Sequence, residues 1–248
     1  RIKRILKNCK LQSPLIRVKG DEMQIQPRHE YKHRINNMDY FLLRGRLEAI
    51  MQRDIHSDKN GEYIVRSLYF DTPKDKALRE KIYGINRREK FRLRRYIGTK
   101  DYYLLEKKSK KNGLCYKQSC RLTREEIEFI QKNDFDWMAF DKRDLVQELY
   151  AKTKYEQLRP KTIVEYIREP FTYSVGNVRV TFDRDIRTGL FSTGFLSDEL
   201  PLLKTEAGLV ILEVKYDQFI PDHIVMLLQL DGRRASACSK YAMCRIYG

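Results

Sequence analysis

The chain has 248 residues and carries 50 Lys and Arg against 34 Asp and Glu, a formal net charge of +16. With 42% hydrophobic and 11% aromatic residues it holds the material for a buried core, which excludes a disordered chain. Its longest apolar runs, such as 209–212 and 224–228, fall far short of the ~18 residues a membrane span needs. The charge excess points to a polyanionic partner: nucleic acid, an anionic membrane surface, or a phosphate-rich small molecule. Five cysteines (Cys9, Cys115, Cys120, Cys238 and Cys244) form no CxxC pair. They argue against zinc and a disulfide framework and for reduced thiols in a cytosolic setting.

In chain order, residues 1–27 are basic and aperiodic, with Pro14, Gly20 and Pro27 as breakers, and read as a lead-in arm. A strand is expected over 28–35. Asn37 is expected to cap an amphipathic helix to about Met51, with Phe41, Leu42, Leu47 and Ile50 as its apolar side. A strand over 63–70 leads into Asp71-Thr72-Pro73, a helix start, and that helix ends near Gly84. Strands over 89–97, 102–108 and 114–122 follow, joined by turn-forming segments at 98–101 and 109–113. Thr123 and Glu126 form a capping box for a helix over 127–132, and a second helix runs over 142–158. Strands at 162–168, 177–184 and 209–216 and helices at 222–230 and 236–246 complete the pattern. The sum is an α+β domain on an antiparallel sheet, with 28–248 as one unit after the arm at 1–27.

The strands carry an unusual pattern. Arg28, Glu30 and Lys32 share a face, as do Arg92 and Arg94, Glu106 and Lys108, Tyr166 and Arg168, Arg179, Thr181 and Asp183, and Glu213 and Lys215. Most of these strands present an apolar face on the other side. A solvated sheet face mixes both signs of charge more evenly. A sheet curled into a barrel can instead bury its apolar face under outer helices and line its interior with cations, which then need a polyanion as counter-charge. There is no GxxxxGK[ST] loop and no kinase-type glycine-rich loop. His29 and His33 lack a third metal ligand and read as strand residues. Trp137 reads as a core or loop anchor, and Lys107–Lys111 as a tunnel mouth or a solvated hairpin tip.

The ordered set Glu30-Tyr31-Lys32, Val65–Thr72, Phe91–Tyr96, Leu105–Lys108, Tyr166–Arg168, Val178–Asp183, Leu212–Tyr216 and Ser239–Tyr241 resembles the VTC domain. That is the polyphosphate-polymerase module of the vacuolar transporter chaperone family and its bacterial relatives, within the triphosphate tunnel metalloenzyme (CYTH-like) superfamily. The resemblance implies an antiparallel β-barrel tunnel with a basic interior and helices outside. It implies a metal-dependent polyphosphate polymerase that moves the γ-phosphoryl of ATP onto a growing chain.

Lys32, Arg92, Arg94, Lys108, Lys117, Arg168, Arg179 and Lys215 match the phosphate-gripping positions, with Tyr166, Ser239 and Lys240 as further contacts. Glu213 matches the metal-binding carboxylate for Mn²⁺ or Mg²⁺, and Glu30 and Glu106 are candidates for a second ligand. Arg28 stands where the wider superfamily has a first-strand Glu, which favours the VTC branch. Ala237 and Cys238 stand where a further basic residue is expected, with Arg233 and Arg234 nearby. The alternatives are a triphosphatase on the same scaffold and a non-catalytic polyphosphate- or nucleic-acid-binding module.

Overall fold

The structure is a computed structural model and describes residues 18–19, 22–99, 101–112, 114–230 and 238–246. Most of the expected arm, together with Arg233, Arg234 and Ala237, lies outside the described residues. The strands are β1 (Val18–Lys19), β2 (Glu22–Ile35), β3 (Gln52–Arg53), β4 (Tyr63–Asp71), β5 (Arg88–Tyr96), β6 (Tyr103–Lys111), β7 (Leu114–Leu122), β8 (Arg159–Tyr173), β9 (Val178–Thr188), β10 (Leu203–Lys204) and β11 (Val210–Tyr216). The helices are α1 (Asn37–Glu48), α2 (Lys76–Ile82), α3 (Arg124–Gln131), α4 (Asp144–Tyr155), α5 (Asp222–Leu227) and α6 (Lys240–Arg245).

Eight strands close into an antiparallel barrel in the order β9, β11, β2, β7, β6, β5, β4, β8, and β8 pairs back to β9. Closure forces successive residues of each strand to point in and out alternately. Outward Leu68, Phe91, Leu93, Leu105 and Leu122 pack under Ile127 and Ile130 of α3 and Leu145 and Leu149 of α4. On the opposite wall Phe171, Val180, Phe182, Leu212 and Val214 pack under Tyr40, Leu43 and Leu47 of α1 and Ile224 of α5. Each such side chain, fully buried, contributes roughly 1.5–3 kcal/mol. The apolar set is thus spent on the outside of the barrel, leaving the other parity for the interior.

A third, smaller cluster involves the interior parity. Val65, Tyr69, Val164, Tyr166 and Ile211 gather around Tyr241 and Cys244 of α6. That helix is tied to α2: the Tyr241 hydroxyl bonds Asp71, and Arg245 pairs with Asp75 at 3.0 Å. Asp71 also accepts the backbone N–H groups of Ala77 and Leu78 at 2.9 and 3.1 Å.

Several expectations shift. Asn36, not Asn37, caps α1, because Asp39 stands three residues after it and completes a capping box. The helix then buries Tyr40, Leu43 and Leu47 and leaves Phe41, Leu42 and Ile50 exposed. Residues 72–75 form a turn with Asp75 at φ 52°, so α2 begins at Lys76. β2 begins at Glu22 rather than residue 28, and β6 runs on to Lys111. β8 runs from Arg159 to Tyr173 because it serves two neighbours, β4 and β9, and Pro160 is accommodated at a register shift. The Thr123–Glu126 box is present, and Trp137 packs half-buried against the first core. The described cysteines form no disulfide. Among the described residues, no helix is long and apolar enough to cross a membrane.

Candidate functional site in the barrel interior

The interior parity of neighbouring strands brings charged side chains into register. Lys32 lies opposite Glu213, Glu213 opposite Thr181, and Glu30 opposite Lys215. Arg168 lies opposite Asp183, Arg92 opposite Glu106, and Lys108 opposite Lys117. Two ion-pair networks result.

In the first, Lys32 Nζ stands 2.9 Å from Glu30 and 3.6 Å from Glu213, Lys215 Nζ 3.0 Å from Glu213, and Lys108 pairs with Glu30. Arg168 donates to both oxygens of Asp183 at 2.6 and 2.8 Å and reaches Glu213 at 3.3 Å, while Lys240 pairs with Asp183. In the second, Glu106 is surrounded by Arg92 at 2.7 Å, Lys117 at 2.5 Å and Arg94 at 3.6 Å. Tyr166 bridges the two. Lys240 Nζ and Arg168 Cζ lie 4.6 and 5.3 Å from its ring centre, and its hydroxyl is 3.5 Å from Arg94 Nη2.

The interior is open on one side and shut on the other. Lys32, Lys108, Lys117 and Lys215 keep 23, 31, 33 and 26% of their side-chain surface exposed although they point inward. Arg94, Arg168 and Lys240 keep 8–9%. Water therefore reaches the lysine side, and α6 with its apolar cluster closes the other. Arg179 is at the open side, where it donates to Asp54 at 2.7 Å and to the Tyr63 hydroxyl at 2.9 Å. Ser239 does not present its hydroxyl to this lining. It caps α6, accepting from the backbone N–H of Ala242 at 3.3 Å.

The carboxylates are all ionised. Burial pushes Glu213 up, but Lys215, Lys32, Arg168 and Lys240 outweigh it and hold it well below the usual carboxylate range. Glu30 and Asp183 are each lowered to about 2 by the same contest between burial and facing cations. Glu106 is held well below its ordinary value, against burial, by Arg92, Arg94 and Lys117. The cations divide. Lys32 is raised, since Glu213 and Glu30 outweigh its burial, whereas burial brings Lys215 down to about 8. Among the described residues the interior cations outnumber the carboxylates Glu30, Glu106, Asp183 and Glu213, several sharing one carboxylate.

Three interior residues were not singled out from the sequence as site residues. The sequence puts Asp183 on the polar face of its strand without a role; in the structure it anchors Arg168 and Lys240. Lys90 stands one inward step before Arg92 on β5, opposite Lys108. Tyr69 of β4, 3% exposed, accepts from Arg92 Nη1 at 2.9 Å and stacks on Tyr241 at 5.0 Å. Burial raises the Tyr69 phenol, but Arg92, Lys90 and Arg94 bring it down to about 7. The period-two alternation carries Lys90 and Asp183; nothing local marks Tyr69. Of the remaining sequence candidates, His29 stacks on Tyr216 at 5.0 Å. Lys107 points outward to Glu148 and Glu89.

Among the described residues no group of three or more His, Cys, Asp or Glu is placed to hold a metal ion alone. Glu30 and Glu213 nevertheless supply two ionised carboxylates already sharing one cation, the Lys32 ammonium. Hard divalent cations take one or two carboxylates and complete their shell with substrate phosphate oxygens and water, so this donor set fits Mn²⁺ or Mg²⁺. Glu106 fits less well, since it is already surrounded by Arg92, Arg94 and Lys117.

Comparison with one solved structure, at TM-score 0.50, supports the same architecture. The chain is similar to an adenylyl cyclase candidate from Hippeastrum described as having a dominant triphosphatase activity, with 14% identity over 89% of this chain and 96% of that one, at TM-score 0.50. A Bacillus halodurans chain described as an adenylate cyclase candidate gives 13% identity over 81% and 84% of the two chains, at TM-score 0.48. No curated protein matches by sequence. The VTC domain family model matches residues 27–246, nearly the whole described chain, and with the basic barrel interior already in view the protein belongs to the VTC-domain family of tunnel-fold proteins.

Proposed function

We propose that the protein is a metal-dependent phosphoryl-transfer enzyme acting on linear phosphates, and specifically a polyphosphate polymerase that moves the γ-phosphoryl of ATP onto a polyphosphate chain and releases ADP. The observation that carries this reading is the water-accessible barrel interior in which ionised carboxylates are outnumbered by cations. An eight-stranded barrel has room for side chains and one slender ligand. A linear phosphate chain is slender and carries charge along its whole length, whereas a nucleic-acid duplex cannot enter.

Arg92, Arg94 and Arg168 offer planar forks for bidentate phosphate contacts, and Lys32, Lys108, Lys117 and Lys215 offer point charges around them. Arg179 and Lys240 stand at the open and closed sides. Glu106 and Asp183 hold the arginines in orientation before substrate arrives, which is the preorganisation that phosphoryl transfer depends on. Glu213, with Glu30, would hold Mn²⁺ or Mg²⁺, which when bound neutralises charge on the transferred phosphoryl group. No side-chain nucleophile is required, because the acceptor is itself a phosphate oxygen.

The Hippeastrum likeness favours a second reading, hydrolysis of a triphosphate with water as acceptor. The cysteine pattern of the sequence, five cysteines with no CxxC pair, supports a cytosolic compartment for either activity. Phosphorus NMR of the purified protein incubated with ATP and Mn²⁺ or Mg²⁺ separates the two readings. From ATP a polymerase yields ADP and inner-chain polyphosphate signals, whereas a triphosphatase yields ADP and orthophosphate from ATP, or pyrophosphate and orthophosphate from tripolyphosphate supplied in its place. Unchanged ATP and unchanged tripolyphosphate with both metals contradict both.

A further inference from the structure

Lys90, Lys108 and Lys117 occupy facing inward positions on three adjacent strands, β5, β6 and β7. Like charges in register repel, so a row of amines is stable only if each finds a counter-charge. Lys108 has Glu30 and Lys117 has Glu106. Lys90 makes no ion pair among the described residues; its Nζ lies over the Tyr69 ring, 5.3 Å from the centroid. The groups that face it are Tyr69 of β4, Arg92 on its own strand, Lys108 of β6 and Lys32 of β2. α2 brings Lys81 to the same side, where it interacts with Arg88, Lys32, Lys110 and Cys238, while Glu80 interacts with Lys76, Glu89, Glu156 and Asp71.

We propose that Lys90 is a phosphate-binding residue of the barrel interior, left without a carboxylate so that a substrate phosphate supplies its counter-charge, and that this contact couples substrate binding to proton uptake. The inference rests on the phosphate-binding reading of the interior given above. Burial lowers the Lys90 ammonium to about 8, with Lys108, Arg92 and Lys32 adding to the fall and Tyr69 opposing it. A phosphate beside it reverses that balance. Below pH 8 the group is already charged and binding takes up little. Above pH 8 it is neutral in the free protein, so binding must draw a proton from solution and weakens as pH rises. The Tyr69 phenol shifts in the same direction when an anion offsets Arg92 and Lys90.

The test is calorimetric titration of tripolyphosphate at pH 7 and pH 9, each in two buffers of different ionisation enthalpy, for the parental protein, Lys90→Met and Lys90→Arg. Lys90→Met is expected to weaken binding about tenfold to a hundredfold at pH 7, the loss of one charge-assisted contact. Lys90→Arg is expected to bind near the parental affinity at pH 7. At pH 9 it should take up fewer protons than the parent and lose less affinity. Lys215 titrates in the same range and contributes its own proton, so the difference between variants carries the result. Parental affinity in Lys90→Met, or parental proton uptake in Lys90→Arg, overturns the inference while leaving the phosphate reading intact. A parental protein that does not bind tripolyphosphate overturns both. If Lys90→Met fails to melt cooperatively, the proton count of Lys90→Arg decides alone.

Discussion

Glu213 is held by Arg168, Lys215 and Lys32 at 3.3, 3.0 and 3.6 Å, and that crowding separates its role from the cations around it. Glu213→Gln keeps the shape and removes the charge. Metal-dependent turnover of ATP should fall by at least about a hundredfold, while tripolyphosphate binding without metal stays intact or tightens, because a repulsive carboxylate has gone. Arg94→Ala should weaken tripolyphosphate binding by about 1.5–3 kcal/mol with or without metal. Paired titrations with and without Mn²⁺, plus ATP turnover, check both. Parental turnover in Glu213→Gln removes Glu213 as the metal ligand. At this scale the sequence revealed which residues share a strand face, and that parity places Lys32, Arg92, Arg94, Lys108, Arg168 and Lys215 in the interior networks. It could not show who pairs with whom. Asp183 is fifteen residues from Arg168 and far along the chain from Lys240, and only barrel closure makes the three partners. Ser239 shows the opposite failure: a residue type suited to anions is engaged by its own helix.

The segment between β3 and β4 links the outer surface to the interior. Asp54 holds Arg179 at 2.7 Å, Glu62 holds Arg184 at 2.5 Å, and the Asp54 carboxylate also accepts the backbone N–H of His56 at 3.0 Å. A substrate phosphate must compete with Asp54 for Arg179. Asp54→Asn keeps the acceptor for His56 and removes the competing charge, so it should tighten tripolyphosphate binding by ~0.5–1.5 kcal/mol with little change in melting temperature. Weaker binding in this variant would show that Asp54 orients Arg179 rather than opposing the ligand. Elements themselves were legible where local chemistry was complete, as at Thr123 and Glu126, and β7 has the expected bounds. They shifted where two local solutions compete. Asn36 and Asn37 are equally good caps by type, and the acid three residues on selects Asn36. That one-residue shift turns Phe41 and Leu42 outward. β8 outran its expected end at Arg168 because its length is set by β4 and β9, which no local pattern records.

The whole barrel carries its charge imbalance as a stability term. Glu30 and Asp183 are lowered to about 2 from ordinary values near 4, so their contribution is full above ~pH 5 and is lost as pH falls toward 2. Lys215 and Lys90 are lowered to about 8 from ~10.4, and Tyr69 to about 7 from ~10. For these groups the unfolded chain binds more protons between the folded and unfolded values, so stability rises with pH from about 7 to 10. The ligand-free protein should therefore melt at a higher temperature at pH 9 than at pH 7, and tripolyphosphate should raise the melting temperature more at pH 7, where the interior cations are fully charged. A ligand-free melting temperature that falls steadily from pH 7 to 9 contradicts the excess of interior cations. The fold class was legible because apolar and charged parities separate along almost every strand. The shut end was not, since the α6 plug depends on Tyr69, Tyr166 and Ile211 meeting across the lumen. The central claim is that the barrel interior, and not the outer basic surface, receives the phosphate chain. A crystal structure of the protein with tripolyphosphate tests it most directly. The account predicts the anion inside the barrel, within hydrogen-bonding distance of Arg92, Arg168 and Lys215, with the Lys32–Glu213 and Arg179–Asp54 contacts loosened. Tripolyphosphate bound only on the outer surface, with those interior ion pairs unchanged, would contradict it.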